Sequence, residues 1–239
     1  MLSGLLHPFR GLNLLWVLGR EGATDVALTL TPKGSFPATM LGLLSTLKSA
    51  RAKKRGAGVN LAQALKRLGP TYIKLGQILS TRADLIGDQA ALDLSALQDQ
   101  LDPFSDAQAR SILEDALGRP IDKVFSEFGA PVSAASVAQV HFGRLQTGED
   151  VAVKILRPGI EKRFDRELRF LQWGARWAQR VVPDLRRAQP VGLIEVLRQQ
   201  TAMELDLRME AAAGDQMARN FKERGGLSTP TPFWDLTSQ

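Results

Sequence analysis

The feature that most constrains this fold is a change of period near residue 136. Before it, apolar residues recur at three- and four-residue steps; over 136–145 and 150–156 they alternate, rich in Val and Ile, around a Thr147-Gly148 turn. Alternation interrupted by a turn dipeptide reads as a hairpin. Helical periodicity returns from about residue 160. One hairpin set among long helical stretches predicts an α+β, predominantly helical chain.

The second strand carries the first chemical signal. Val151 and Val153 point to one side, Ala152 and Lys154 to the other. A small Ala152 beside the lysine leaves room for a flat ring, and Lys154 offers a point charge to phosphate oxygens. Ahead of the hairpin, Ser133-Ala134-Ala135-Ser136 keeps every side chain small without using glycine. Phosphate loops use glycine because the backbone must approach oxygen closely. An alanine/serine run is a stiffer version of such a cover; alternatively, Ser133 or Ser136 caps a helix N-terminus.

Around the hairpin the sequence predicts helices. Leu2, Leu5, Leu6, Phe9, Leu12 and Trp16 form an amphipathic stripe flanked by Arg10 and Arg20, suited to docking on its own domain or to a bilayer interface. Residues 31–37 read as a loop, followed by a helix through Leu41, Leu44 and Leu47 into the basic cluster Lys48 to Arg55. Further helices are expected over 61–68, 71–86, 89–101, 106–117 with Ser105 as cap, 121–128, 160–182 and 191–223. Gly225-Gly226 breaks the last of these, and Phe233-Trp234 begins a pattern resembling a strand.

Composition narrows the function. The 239 residues contain no cysteine, which excludes disulfides and thiolate metal sites, and two distant histidines do not make a zinc site. No apolar run reaches the ~18 residues of a spanning helix, and the N-terminus lacks the design of a secretory signal. Residues 1–67 hold ten Lys/Arg against Glu21 and Asp25, a net +8, so the remainder sums to −2. That asymmetry points to an anionic partner for the first quarter of the chain, or to a solvated basic linker. No stacking aromatics interleave with the basic cluster, so a membrane surface is favoured over nucleic acid.

Two helical constellations add to this. Lys74 and Gln77 are three apart and share a face, with Gly76 between them permitting close packing. The pair suits a phosphate or a carboxylate, or is a solvated lysine beside a packing glycine. Asp206 and Glu210 also share a face, whereas Glu204 is rotated by about 200° from Asp206 in a straight helix. Glu204 and Asp206 then cannot meet the same partner unless the helix distorts. Pairing of these acids with Arg208 on a solvated face is the plainer alternative.

Together these residues resemble the UbiB/ADCK family of atypical protein-kinase-like proteins linked to ubiquinone biosynthesis. Val151-Ala152-Val153-Lys154 is similar to the lysine strand of kinases. Ser133 to Ser136 stands where the family has an alanine-rich loop, with serine replacing its first alanine. Lys74-Leu75-Gly76-Gln77 matches the K-x-G-Q motif, within a similar phrase from Leu68 to Arg82, and Glu204-Leu205-Asp206 matches E-x-D. The resemblance runs from about residue 60 to the C-terminus.

The resemblance implies a partial kinase-like N-lobe preceded by a helical extension: a basic segment over 1–58, a K-x-G-Q region over 59–130, and the lobe over 131–239. It implies ATP or ADP between the Ser133–Ser136 loop, Ala152 and Lys154. Lys154 pairs with Glu210, as in kinases, or with Glu204. The K-x-G-Q helix is placed over the cleft, with Lys74 facing Glu204 or Asp206. It further implies peripheral attachment to the cytoplasmic face of a membrane, anionic lipid, and other ubiquinone-biosynthesis proteins as partners. No H-R-D-type catalytic loop or D-F-G-type aspartate occurs in the 239 residues. The chain alone is therefore expected to be catalytically incomplete and to hold no magnesium ligands of its own.

Overall fold

The computed structural model describes residues 7–29, 31, 34–97, 101–221 and 229–238. Leu2, Leu5, Leu6 and Gly225-Gly226 lie outside them. The chain divides into two compact units, Met1–Asp99 with Phe164–Leu197, and Gln100–Arg163 with Arg198–Gln239.

The first unit is helical: α1 (His7–Glu21), α2 (Thr24–Thr29), α3 (Phe36–Ser45), α4 (Ala57–Leu68), α5 (Pro70–Ser80), α6 (Ala83–Ile86) and α7 (Asp88–Ser95). Its core gathers Val17, Leu65, Leu68, Tyr72, Ile86, Leu94 and Leu97. Small residues set the closest approach within it. A Cβ on Gly58 in α4 would lie 2.8 Å from the Ala90 Cα of α7 and 2.5 Å from an Asp93 carboxylate oxygen. Buried Asn60 donates to the Ala52 carbonyl at 2.9 Å, tying α4 to the basic connection before it. Glu21 receives Arg67 at 3.0 Å, and Asp25 receives Lys48 at 2.7 Å.

α1 docks and also remains apolar outside. Leu14, Val17 and Leu18 join the core, while Leu12, Leu15 and Trp16 are exposed, with Trp16 beneath the guanidinium groups of Arg67 and Arg20. α3 buries none of its residues; Phe36 is 71% exposed.

Two expectations are corrected here. Pro37 belongs to a helix rather than to a loop. It occupies the first turn, where its missing N–H costs nothing, and Ser35 caps that turn by accepting from the Ala38 N–H at 3.3 Å. The helix expected over 71–86 is two. Ser80 and Thr81 hydroxyls donate back to the Gln77 and Ile78 carbonyls at 2.7 and 2.8 Å, a local bond that competes with continuation.

The second unit holds α8 (Asp106–Leu117) and a three-stranded antiparallel sheet in the order β1 (Phe125–Ala134), β2 (Ala138–Leu145), β3 (Asp150–Leu156). Ser105 and Gln108 form a capping box at the start of α8. Gly148, at φ +102°, makes the β2–β3 turn. The helix expected over 121–128 is only a 3-10 turn, Ile121–Lys123, after which the chain enters β1. β1 slips register at Phe125/Glu127, Phe128/Pro131 and Pro131/Ser133. Those bulges disturb the period-two pattern and hide the strand.

α9 (Ile160–Val181) and α10 (Pro190–Leu205) begin in one unit and end in the other, and α11 (Leu207–Phe221) follows. The single long helix expected over 191–223 is interrupted at Asp206. Among the described residues no helix is long and apolar enough to cross a membrane.

Glycines separate tight from open positions. Gly58→Ala is expected to lower the unfolding free energy by about 1–3 kcal/mol, because the added carbon meets backbone. Gly42→Ala, inside α3 with nothing within 4 Å, is expected to raise it by about 0.5–1 kcal/mol. Urea denaturation of the two variants checks both signs.

Candidate functional site

The site begins with the two faces of the sheet. Val151, Val153 and Ile155 of β3 turn toward α8 and pack with Ala109, Leu113, Phe125 and Leu145. Ala152 and Lys154 therefore stand on the opposite, open face. The pairing Ser133↔Val140↔Lys154 forms one row across the sheet, and Phe142↔Ala152 the next. The alanine/serine run closes the β1–β2 connection: Ser133 and Ala134 end β1, and Ala138 begins β2. Small side chains, an apolar floor of Val140 and Phe142, and a cation thus share one surface.

Lys154 Nζ donates to the Glu210 carboxylate. The two side chains are 36% and 59% exposed, so solvent screens the pair and limits its stabilising effect to about 0–1 kcal/mol. Its consequence is positional: the ammonium is steered toward α11. Glu210 sits in the first turn of that helix, where a negative charge opposes the positive end of the dipole.

Asp206 explains the geometry of E-x-D. It lies between α10 and α11, and its Oδ1 accepts from the Arg208 N–H at 3.1 Å. This is an N-cap bond. The straight-helix rotation does not apply, because Glu204 lies in the last turn of α10 and Asp206 caps the start of α11. Arg208 contributes its backbone N–H to this bond.

In the first unit, Lys74 and Gln77 are half-buried on α5. A Cβ on Gly76 would lie 2.6 Å from Leu97 Cδ1 and 2.7 Å from Leu65 Cδ1, which makes Gly76 a point of close packing. Lys74, Gly76 and Gln77 belong to one unit, whereas Glu204 and Asp206 belong to the other.

Three residues to which sequence reasoning gave no role support the sheet beneath the site. Gln139 and His141 of β2 lie on the buried face, opposite Ile155 and Val153. His141 donates from Nδ1 to the Gly129 carbonyl at 2.8 Å and accepts at Nε2 from Gln139 at 2.8 Å, which fixes a neutral Nδ1–H tautomer. Its ring stacks on Phe128 at 4.6 Å. Gln139 Oε1 accepts from the Phe104 N–H at 2.9 Å. The signal was present: both residues fall on the core side of the alternation. Arg157 follows β3 and bonds to the β1–β2 connection and to the segment before α8.

At the far end of the hairpin, the Arg144 side chain donates to Asp150 at 2.8 Å and holds that carboxyl below its usual range. The Thr147 hydroxyl does the same for Glu149. Among the described residues no three His, Asp or Glu side chains gather to hold a metal ion.

Fold and site together define a partial protein-kinase-like N-lobe with a helical extension. The chain matches the model of the ABC1 atypical kinase-like domain over residues 96–239 and belongs to that family, the UbiB/ADCK family. Lys74, Gly76 and Gln77 precede the matched segment. A solved structure of Rv3197 from Mycobacterium tuberculosis, in complex with erythromycin, is 30% identical; the match covers 54% of this chain and 32% of that one, with a TM-score of 0.42. The match thus spans about a third of the length of that relative.

Three substitutions rank the site's contributions to stability. His141→Leu keeps bulk but removes the imidazole donor from the Gly129 carbonyl and the imidazole acceptor from the Gln139 amide, and is expected to cost about 1–3 kcal/mol. Asp206→Ala removes the cap of α11, at about 1 kcal/mol. Lys154→Ala breaks an exposed pair and is expected to stay within about 1 kcal/mol of the parent. Thermal denaturation of the three variants tests the order.

Proposed function

We propose that this chain carries the nucleotide-binding lobe of a UbiB-type atypical kinase or ATPase that supports ubiquinone biosynthesis at a membrane. ATP or ADP lies on the open face of the sheet, between the Ser133–Ser136 connection and Lys154, with Ala152 against the base. The observation that carries this reading is the row Ser133–Val140–Lys154, ending in an ammonium held toward α11 by Glu210. A lysine so held can offer its remaining N–H groups to phosphate oxygens. Without a catalytic-loop base the chain alone binds nucleotide and does not turn it over.

Binding of ATP and ADP by calorimetry tests the reading. Lys154→Ala is expected to weaken affinity at least tenfold, and Glu210→Gln by a smaller factor. Unchanged affinity in Lys154→Ala overturns the role given to that lysine.

A second reading, a membrane-binding helical module on a pseudokinase scaffold, is favoured by one observation. Leu12, Leu15, Trp16, Phe36 and Leu43 are exposed on α1 and α3, two helices so close that a Cβ on Gly19 would lie 2.9 Å from the Leu44 carbonyl oxygen. Exposed Lys53, Lys54 and Lys66 belong to the same unit. Apolar residues with a basic surround suit an anionic bilayer interface. Flotation with anionic liposomes discriminates. Binding that survives Lys154→Ala but is lost on deletion of residues 1–58 identifies the helical surface as the membrane contact.

A further inference from the structure

We propose that Arg157 is a positioning residue for the alanine/serine loop: its guanidinium latches the loop in place before any nucleotide arrives. The inference rests on the nucleotide reading above for its purpose, but its geometry stands independently. Arg157 Nε donates to the Ala135 carbonyl at 2.8 Å, and its Nη2 donates to the Asp102 carbonyl at 2.9 Å. Its backbone N–H donates to the Val137 carbonyl at 2.9 Å. The guanidinium also lies over the Phe104 ring, 6.0 Å from its centre.

The rest of the loop is held in the same way. Ala134 accepts from the Leu101 N–H at 3.2 Å, and the Ala135 N–H donates to the Ala138 carbonyl at 2.8 Å. Phe104, which underlies the guanidinium, is fixed by Gln139 at 2.9 Å, and Gln139 is fixed in turn by His141. One side chain thus ties three segments together: 101–104, the loop, and the exit of β3. Arg157 is three residues beyond Lys154 in sequence, so loop and lysine are fixed to one frame.

A glycine-rich cover is ordered by its ligand and loses backbone freedom in the process. Here alanines already restrict the loop, and the forked guanidinium fixes what freedom remains. Lysine, with a single donor atom, cannot reach both carbonyls in the same geometry.

Hydrogen exchange and nucleotide affinity, measured on the full chain, test the proposal with Arg157→Ala and, as the milder variant, Arg157→Lys. The Leu101 and Ala135 amides are expected to exchange at least tenfold faster in Arg157→Ala, with β2–β3 amides unchanged. ADP and ATP affinity should fall about tenfold, and Arg157→Lys should lie between parent and Ala in both readouts. A fold defect alone would speed exchange throughout the sheet; if that is seen in Arg157→Ala, Arg157→Lys decides. Unchanged exchange at Leu101 and Ala135 overturns the latch whatever the nucleotide result. Faster local exchange with unchanged affinity overturns the positioning role. A parent chain that binds neither nucleotide removes the nucleotide reading, and the exchange rates then decide the latch alone.

Discussion

The one-sided burial of a three-stranded sheet governs the second unit. Val151, Val153 and Ile155 are drawn to the α8 side by the hydrophobic effect, and alternation then leaves Ala152 and Lys154 on the open side. A one-residue slip between β2 and β3 would bury the lysine and expose the valines. The register is defended by more than apolar packing. Gln139 and His141 sit on the buried side, and a slip between β1 and β2 would break the bond from the imidazole to the Gly129 carbonyl. Polar groups in that position cost stability unless every partner is met, so they select one pairing over its neighbours.

The alternation and the lysine strand were legible in the sequence because period two is a local signal. β1 was not, because three register breaks and Pro131 erase its periodicity. Its ten residues become a strand through pairing with β2, an interaction no local window contains. The helix starts were read best where a cap was plain, as at Ser105. They were read worst where proline opened the helix instead of ending a loop, as at Pro37.

Of the candidate site, the residue types were legible and their division of labour was not. Glu210 against Lys154 follows from helix spacing once α11 is known to begin at Leu207. Asp206 as a cap could not be inferred while 191–223 read as one helix. Arg157 directly follows β3; its bonds to Ala135 and Asp102 join residues 22 and 55 positions away. Such long-range contacts leave no periodic trace.

The register breaks in β1 also decide where this sheet can grow. Among the described residues β1 and β3 are its outer strands. β1 is bent by bulges, carries Pro131 without a donor, and already accepts Leu101 at its end through the Ala134 carbonyl; such an edge is a poor template for another strand. β3 is paired with β2 without a break over its full seven residues and turns its other side outward. Extension of the sheet is therefore polarised. An added strand, from the same polypeptide or a different one, finds a regular ladder only beside the lysine.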